Sequence, residues 1–361
     1  MDIRRTVLWM IFSFSLLLLW NNWQIHNGKP SLFGPTPAAT TSEPQAAANN
    51  GATPSVPNAP VPATAAPSAV PGAAAPVAAR SEEVVITTDV LRLTFDTMGA
   101  QLVRAELLKY PATGQPDKPT VLLDRAAGLN YVVQTGVVGA PNGQSFPTHQ
   151  TPFRVVSTER QLTGDNLVVA FEGESGGVKV TKTFTLHRGR YDIDVRHDLA
   201  NVSAAPVSPA LYLQLERDGN DPADTSSFYH TFTGFAVYSE QDKFQKITFS
   251  DIEKKKANYV KQSDNGWIAV VQHYFATAWV PPQGKQRTNE LLEVQKNLYA
   301  GRSIEAVGEI APGAAARVDS HLWVGPQDQK AMAALAPGLE LVVDYGWLTI
   351  IAKPLFKLMT W

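Results

Sequence analysis

Beyond Arg80 the chain alternates apolar and polar positions in short runs, punctuated by Gly, Pro, Asn and Asp. Val84-Val85-Ile86 and Val90–Phe95 lead into Asp96-Thr97-Met98-Gly99, a turn before Leu102–Leu108. Further runs stand at Val121–Leu123, Tyr131–Gln134, Phe153–Ser157, Leu167–Phe171, Leu211–Leu215, Gly266–Val271 and Tyr274–Val280. The two longest, Val178–Leu186 and Tyr191–Leu199, are joined by His187-Arg188-Gly189-Arg190. In the second of these, Tyr191, Ile193, Val195 and Leu199 share one face, and Asp192, Asp194, Arg196 and Asp198 the other. A period of two with charge on one side marks a half-solvated antiparallel strand, and the short Gly-containing link predicts a hairpin. No long amphipathic helix interrupts the pattern before about Trp323. The reading is a mainly β fold, a large antiparallel β-sandwich over residues 81–338.

The two ends obey different rules. Thr6–Trp20 carries no charge and comes directly after Arg4 and Arg5. A charge at the bilayer centre costs several kcal/mol, and arginine ahead of an apolar run holds that end in the cytoplasm. Residues 1–24 therefore read as a transmembrane anchor, with Trp20 and Trp23 at the outer interface, and the chain beyond it as exported. A cleaved signal would need small residues soon after the run, whereas Asn21-Asn22-Trp23-Gln24-Ile25-His26 comes next. Residues 25–80 are rich in Ala and Pro, too poor in apolar surface to hold a fold, and read as a disordered tether. After Gly325-Pro326 a helix is expected over 326–336, closed by Pro337-Gly338. In 339–361, Leu348, Ile351, Leu355 and Met359 share a helical face, opposite Lys353 and Lys357 and after Trp347. That pattern predicts an amphipathic helix lying in the membrane interface.

Composition narrows the function classes. A formal net charge of −2 offers no basic face for nucleic acid. With no cysteine, disulfides, thiolate metal sites and cysteine nucleophiles are excluded together. The seven histidines include no HExxH pair, and GxSxG, P-loop and dinucleotide signatures are missing. Gly173–Gly177 reads as a hairpin turn, and the acidic stretch Glu216–Asp221 as a surface turn without the ligand spacing of a calcium loop. No catalytic, cofactor or metal residue is assigned. The loop-rich stretch from about Asp218 to Ile252 holds Phe228, Tyr229 and Phe232 beside Asp242 and Lys243, and is the candidate partner surface.

Tyr229–Ser239, Gly266–Pro281, Leu322–Pro326, Thr181–Tyr191 and Val343–Leu348 with Lys353–Lys357 together resemble the YidC/Oxa1/Alb3 family of membrane insertases. The resemblance covers the whole chain except the tether. It implies a galactose-mutarotase-like supersandwich in the periplasm, tied to the bacterial inner membrane by the anchor and the interfacial helix. It also implies insertion and folding of nascent inner-membrane proteins, alone or with the Sec translocon and its SecDF accessory, without nucleotide or metal. In the family a groove in a five-helix membrane core, with an arginine in the second span, receives the substrate. The sequence stops at Trp361 before that span, and a longer insertase is expected. Two other readings of the exported domain are a periplasmic chaperone or binding module and an anchored mutarotase-like enzyme.

Overall fold

The computed structural model describes residues 81–126, 129–141, 143–222 and 232–343. In chain order the strands are β1 (Glu83–Thr87), β2 (Leu91–Asp96), β3 (Gln101–Ala112), β4 (Gln115–Ala126), β5 (Leu129–Val138) and β6 (Arg154–Val155). Then come β7 (Asn166–Ser175), β8 (Val178–His187), β9 (Asp192–Asn201), β10 (Ala210–Asp218), β11 (Thr233–Ser239) and β12 (Lys243–Ile247). A short helix α1 (Phe249–Glu253) precedes β13 (Gln262–Ser263), β14 (Trp267–Gln272), β15 (Phe275–Val280), β16 (Arg287–Gln295), β17 (Leu298–Ala306) and β18 (Ala315–Pro326). Helix α2 (Gln329–Leu335) and a 3-10 turn (Leu339–Val342) close the described chain.

The strands form two nine-stranded sheets. The first runs β1-β2-β3-β4-β5-β10-β17-β16-β13 and the second β12-β11-β14-β15-β18-β9-β8-β7-β6. Every pairing between these strands is antiparallel, as the alternating pattern requires. The expected hairpin is present: β8 and β9 pair from Val178↔Asn201 to Leu186↔Ile193. Gly176 and Gly177 turn β7 into β8 with φ of 59° and 78°, so that glycine-rich stretch is a hairpin turn. Edge strands β6 and β13 have two residues each, and edge strand β12 carries Lys243 and Lys246. Short or charged edges resist pairing with other chains.

Between the sheets lies one continuous core. Leu91, Leu93, Phe95, Leu213 and Leu215 from the first sheet meet Phe171, Phe184, Ile193, Val195 and Trp279 from the second. Phe95 centres an aromatic cluster, 5.4 Å from Phe171 and 4.8 Å from Phe184. Burying residues of this size contributes about 1.5–3 kcal/mol each, which lets the domain stand without disulfides. A second, smaller core covers the outer face of β11, β14, β15 and β18. Ala236, Ala269, Ala276 and Ala278 leave room there for Met332, Leu339 and Val342 to settle beside Trp267 and Trp323. Gly338, at φ 76°, passes so close to Tyr238 that a Cβ would lie 2.4 Å from its ring.

Three sequence expectations shift. The helix expected over 326–336 begins later: Pro326 ends β18, and Asp328 caps α2 by accepting from Lys330 N (3.0 Å) and Ala331 N (3.1 Å). Glu216-Arg217-Asp218 is the buried end of β10, because its backbone continues to pair with β17 as far as Asp218↔Leu298; only the residues after Asp218 leave the sheet. Phe153–Ser157 contributes only the two residues of β6: Phe153 N turns to Thr97 O (2.8 Å), and after Val156 N donates to Ala170 O (2.8 Å) the Ser157 side chain takes over the edge by accepting from Ala170 N (3.1 Å). Among the described residues no helix is long and apolar enough to cross a membrane. The anchor residues Arg4, Arg5, Trp20 and Trp23 lie outside the described residues, as do Trp347, Leu348, Ile351, Lys353, Leu355, Lys357 and Met359. At the start of the span expected to be interfacial, Leu339 and Val342 are buried against the second core.

Candidate functional site

Strand parity places several polar side chains among apolar ones. In β8, Val178, Val180, Phe184 and Leu186 point into the sandwich, and Lys182 shares their side. Its partner across the sheet is His197, which falls in line with Ile193, Val195 and Leu199. Lys182 is fully buried and donates from Nζ to Gly99 O (2.7 Å) and Thr135 O (2.8 Å), 4.6 Å from the Phe153 ring centre. Desolvation pushes its pKa down to about 7. His197 Nε2 lies 3.0 Å from Thr135 Oγ1, and burial, then the charge of Lys182, pushes its pKa down to about 3. The group therefore clamps β5 and the turn before β3 to the second sheet.

On the other side of the first sheet a polar ladder crosses five strands. Gln214 faces Gln134 and Arg302 in register, and Arg302 faces Glu290. Gln214 Nε2 donates to Gln134 Oε1 (2.6 Å), Gln134 Nε2 to Gln101 Oε1 (2.9 Å), and Arg302 Nε to Glu290 Oε2 (2.7 Å). Gln101 Nε2 ends the relay on His149 O (2.8 Å) and Met98 O (3.0 Å). His149 Nδ1 lies 2.6 Å from the Tyr212 hydroxyl, and desolvation, then Lys182 and Arg302, pushes its pKa down to about 4. Among the described residues no group of three His, Asp or Glu is placed to hold a metal ion.

A cavity of about 520 Å³ opens where β3–β4, the end of β10 and the β14–β15 turn come together. That volume lies within the range of small-ligand sites. Its apolar wall includes Val121, Leu122, Leu129, Tyr131 and Phe275. Leu129 is 50% exposed and Val121 37%, so the apolar lining reaches the surface. Arg217 is 4% exposed and stands 5.4 Å from the Tyr131 ring centre and 5.6 Å from that of Phe249. Its Nη2 donates to Asn220 O (3.1 Å), while Nη1 is buried with no hydrogen-bond partner. The Oε1 of Gln272, in the same lining, is likewise buried and unpaired. Burial lowers the Arg217 pKa, with Asp218 and Asp221 opposing the shift.

The residues singled out as a partner surface are spread over two environments. Asp242 and Lys243 are exposed at the β11–β12 turn, where Asp242 N donates to Ser239 Oγ (3.0 Å) and Lys243 takes φ 57°. Phe232 is half-buried against the second core, with Lys246 Nζ 5.1 Å from its ring centre. Phe235 is a core residue, and Phe244 packs 5.9 Å from Trp267. Phe228 and Tyr229 lie outside the described residues. A lone histidine in a strand reads as structural, and His197 is that; Lys182 and Arg217 were not singled out, although each stands at an inward position of its strand.

Residues 83–358 match the family model of the YidC periplasmic domain. Membrane protein insertase YidC of Bordetella petrii is 78% identical over 366 residues, covering 100% of this chain and 65% of that protein. The protein of the same description from Bordetella pertussis gives the same identity and coverage. That from Janthinobacterium sp. (strain Marseille) is 46% identical over 364 residues, covering 99% of this chain and 64% of the relative. The chain thus spans about 65% of the length of the curated relatives it matches. Among solved structures, a galactose mutarotase related enzyme from Lactobacillus acidophilus superposes with a TM-score of 0.44 at 7% identity, over 67% of this chain and 97% of that one. A putative aldose 1-epimerase from Escherichia coli K12 gives 0.40 at 11% identity, over 68% and 99%.

Proposed function

This chain belongs to the YidC periplasmic-domain family, and we propose that it is the anchored, periplasmic part of a bacterial inner-membrane insertase. In this reading the protein receives nascent inner-membrane proteins and assists their entry into the bilayer and their folding. It acts by binding rather than by covalent chemistry. The observation that carries the reading is likeness along the whole chain, at 78% identity, to proteins described as membrane protein insertases. The sequence supports the topology: Arg4 and Arg5 precede an uncharged run, and Lys353 and Lys357 oppose an apolar face near Trp361. In this reading residues 1–24 anchor, 25–80 space, 81–338 fold as the sandwich, and 339–361, whose first turn Leu339–Val342 packs on the second core, lead on to the membrane surface.

The Sec translocon and SecDF are the proposed partners. The exposed turn carrying Asp242 and Lys243, with Phe232 nearby and Phe228 and Tyr229 earlier in the same stretch, is the proposed docking surface. Complementation tests the main claim. In a strain depleted of its own insertase, the gene extended to the length of the relatives should restore growth and insertion of a reporter membrane protein. Failure of that full-length gene would refute the insertase reading. Docking is tested separately by charge reversal, with Asp242→Lys and Lys243→Glu together. Both side chains are exposed, so stability should hold while co-purification with SecDF falls; unchanged co-purification would move the docking site elsewhere.

A further inference from the structure

Asparagine followed by glycine is a chemically labile pair, because the glycine nitrogen reaches the asparagine side-chain carbonyl with no side chain in its way. The pair occurs at Asn27-Gly28, Asn50-Gly51, Asn142-Gly143 and Asn265-Gly266. The last stands at the entry to β14, and the fold holds both of its residues. Gly266 is buried at φ 90°, and a Cβ there would lie 1.8 Å from Tyr238 O, so only glycine fits. Asn265 ties down the β11–β12 turn: its Oδ1 accepts from Glu240 N (2.8 Å), and its Nδ2 donates to Asp264 Oδ1 (2.8 Å).

The reaction open to such a pair is a ring closure. The glycine nitrogen gives its proton to a base from solvent, attacks the asparagine Cγ and expels ammonia, forming a five-membered imide. Water then opens the imide at either carbonyl. The sum is asparagine plus water, giving aspartate or isoaspartate plus ammonia. Attack needs nitrogen and Cγ roughly 3–3.5 Å apart and aligned, with the nitrogen free to lose its proton. Here Gly266 N donates to Gln283 Oε1 (2.7 Å). Gln283 Nε2 donates in turn to Gly266 O (3.1 Å) and Pro281 O (2.6 Å), which fixes the orientation of its amide. The attacking nitrogen is thus engaged, and the Asn265 amide is held on both arms.

We propose that Asn265 is a modification site of this protein, converted by water to aspartate or isoaspartate, and that Gln283 sets the rate by holding the Gly266 N–H. Gln283 is exposed on the link between β15 and β16, so it releases Gly266 without any opening of the core. Neither product fits the site that forms it. Aspartate places a carboxylate where Asn265 now donates to Asp264, and two carboxylates at that separation repel. Isoaspartate adds a carbon to the main chain beside Gly266, which has no room against Tyr238. Both loosen the tie to Glu240 and with it the turn that carries Asp242 and Lys243. The inference stands on Asn265 and Gln283 alone, whatever that turn binds.

The test uses the full 361-residue chain in lipid nanodiscs, warmed at mildly alkaline pH, with each site followed by peptide mapping and mass spectrometry. Asn142-Gly143 is the reference, since Gly143 is exposed and a Cβ there would meet nothing within 4 Å. Asn265 should react at least about fivefold more slowly in the fold than in urea, the equivalent of about 1 kcal/mol for one held N–H. Gln283→Leu should raise the folded-state rate at Asn265 by a similar factor and leave Asn142 unchanged. Hydrogen exchange within β14 should stay at its wild-type rate, so that release of one N–H is read and not opening of the sheet. Asn265→Asp, which imitates one product without any reaction, should speed hydrogen exchange across 239–243. Equal rates at Asn265 in the fold and in urea would overturn the proposal. So would a Gln283→Leu rate equal to wild type, a rise matched by faster exchange throughout β14, or unaltered exchange in Asn265→Asp.

Discussion

Lys182 offers the sharpest test of the interior chemistry. It is a fully buried cation whose partners are two backbone carbonyls, Gly99 O and Thr135 O. Its pKa falls from 10.5 to about 7 on burial. Between those values the unfolded chain holds a proton that the folded chain has lost, so stability rises with pH across that window. The slope reaches about 1.4 kcal/mol per pH unit for one proton. Integrated from pH 7 to 9.5 it amounts to about 3 kcal/mol, allowing for half-protonation at the lower limit. Lys182→Met removes this term but strands two buried carbonyls, at about 1–3 kcal/mol each. At pH 7 the two effects nearly offset; at pH 9.5 the variant should be clearly the less stable. Urea unfolding of both proteins, monitored by far-UV circular dichroism at half-unit pH steps, gives the difference curve, in which all other titrations largely cancel. A difference that stays flat between pH 7 and 9.5 would show that Lys182 keeps its proton in the fold, and the account of the clamp would be wrong.

Two further outcomes rest on named contacts. His197 and His149, held at about 3 and about 4 against 6.5 when unfolded, should make the domain lose stability as pH falls below 6.5. His197→Gln should flatten the acid limb of a urea midpoint against pH plot by about one proton; an unchanged limb would mean that His197 charges in place. Gly338→Val adds a β-branched side chain at φ 76° against the Tyr238 ring and should cost at least about 2 kcal/mol. Thermal unfolding reads this, and a melting temperature equal to wild type would show that the α2 closure does not hold the second core together.

Much of this architecture was legible in the chain. Alternation in Val178–Leu186 and Tyr191–Leu199 set both the hairpin and its faces, because a strand has only two sides and a one-residue slip would exchange them. Leu298–Ala306 was harder to see: Ala300, Gly301 and Ser303 break the hydrophobic signal, and the strand is held by its neighbours β10 and β16. The helix start was misjudged because Pro326 suits a first helical turn as well as a strand end, and only pairing with Phe275 decides between them.

The site shows the same division. Parity along the strands puts Lys182 and His197 on the inward side, since side-chain direction is a local property of the backbone; Arg217 joins them only because β10 runs on through a stretch that reads as a surface turn. What each meets there depends on residues far away in sequence: Gly99 and Thr135 for Lys182, Thr135 for His197, and Phe249 and Tyr131 for Arg217. Solvation, partners and cavities arise only when two sheets close on each other. The sequence alone therefore set charge, topology signals and strand faces, and the tertiary structure decided which buried polar groups are satisfied and which are left unpaired.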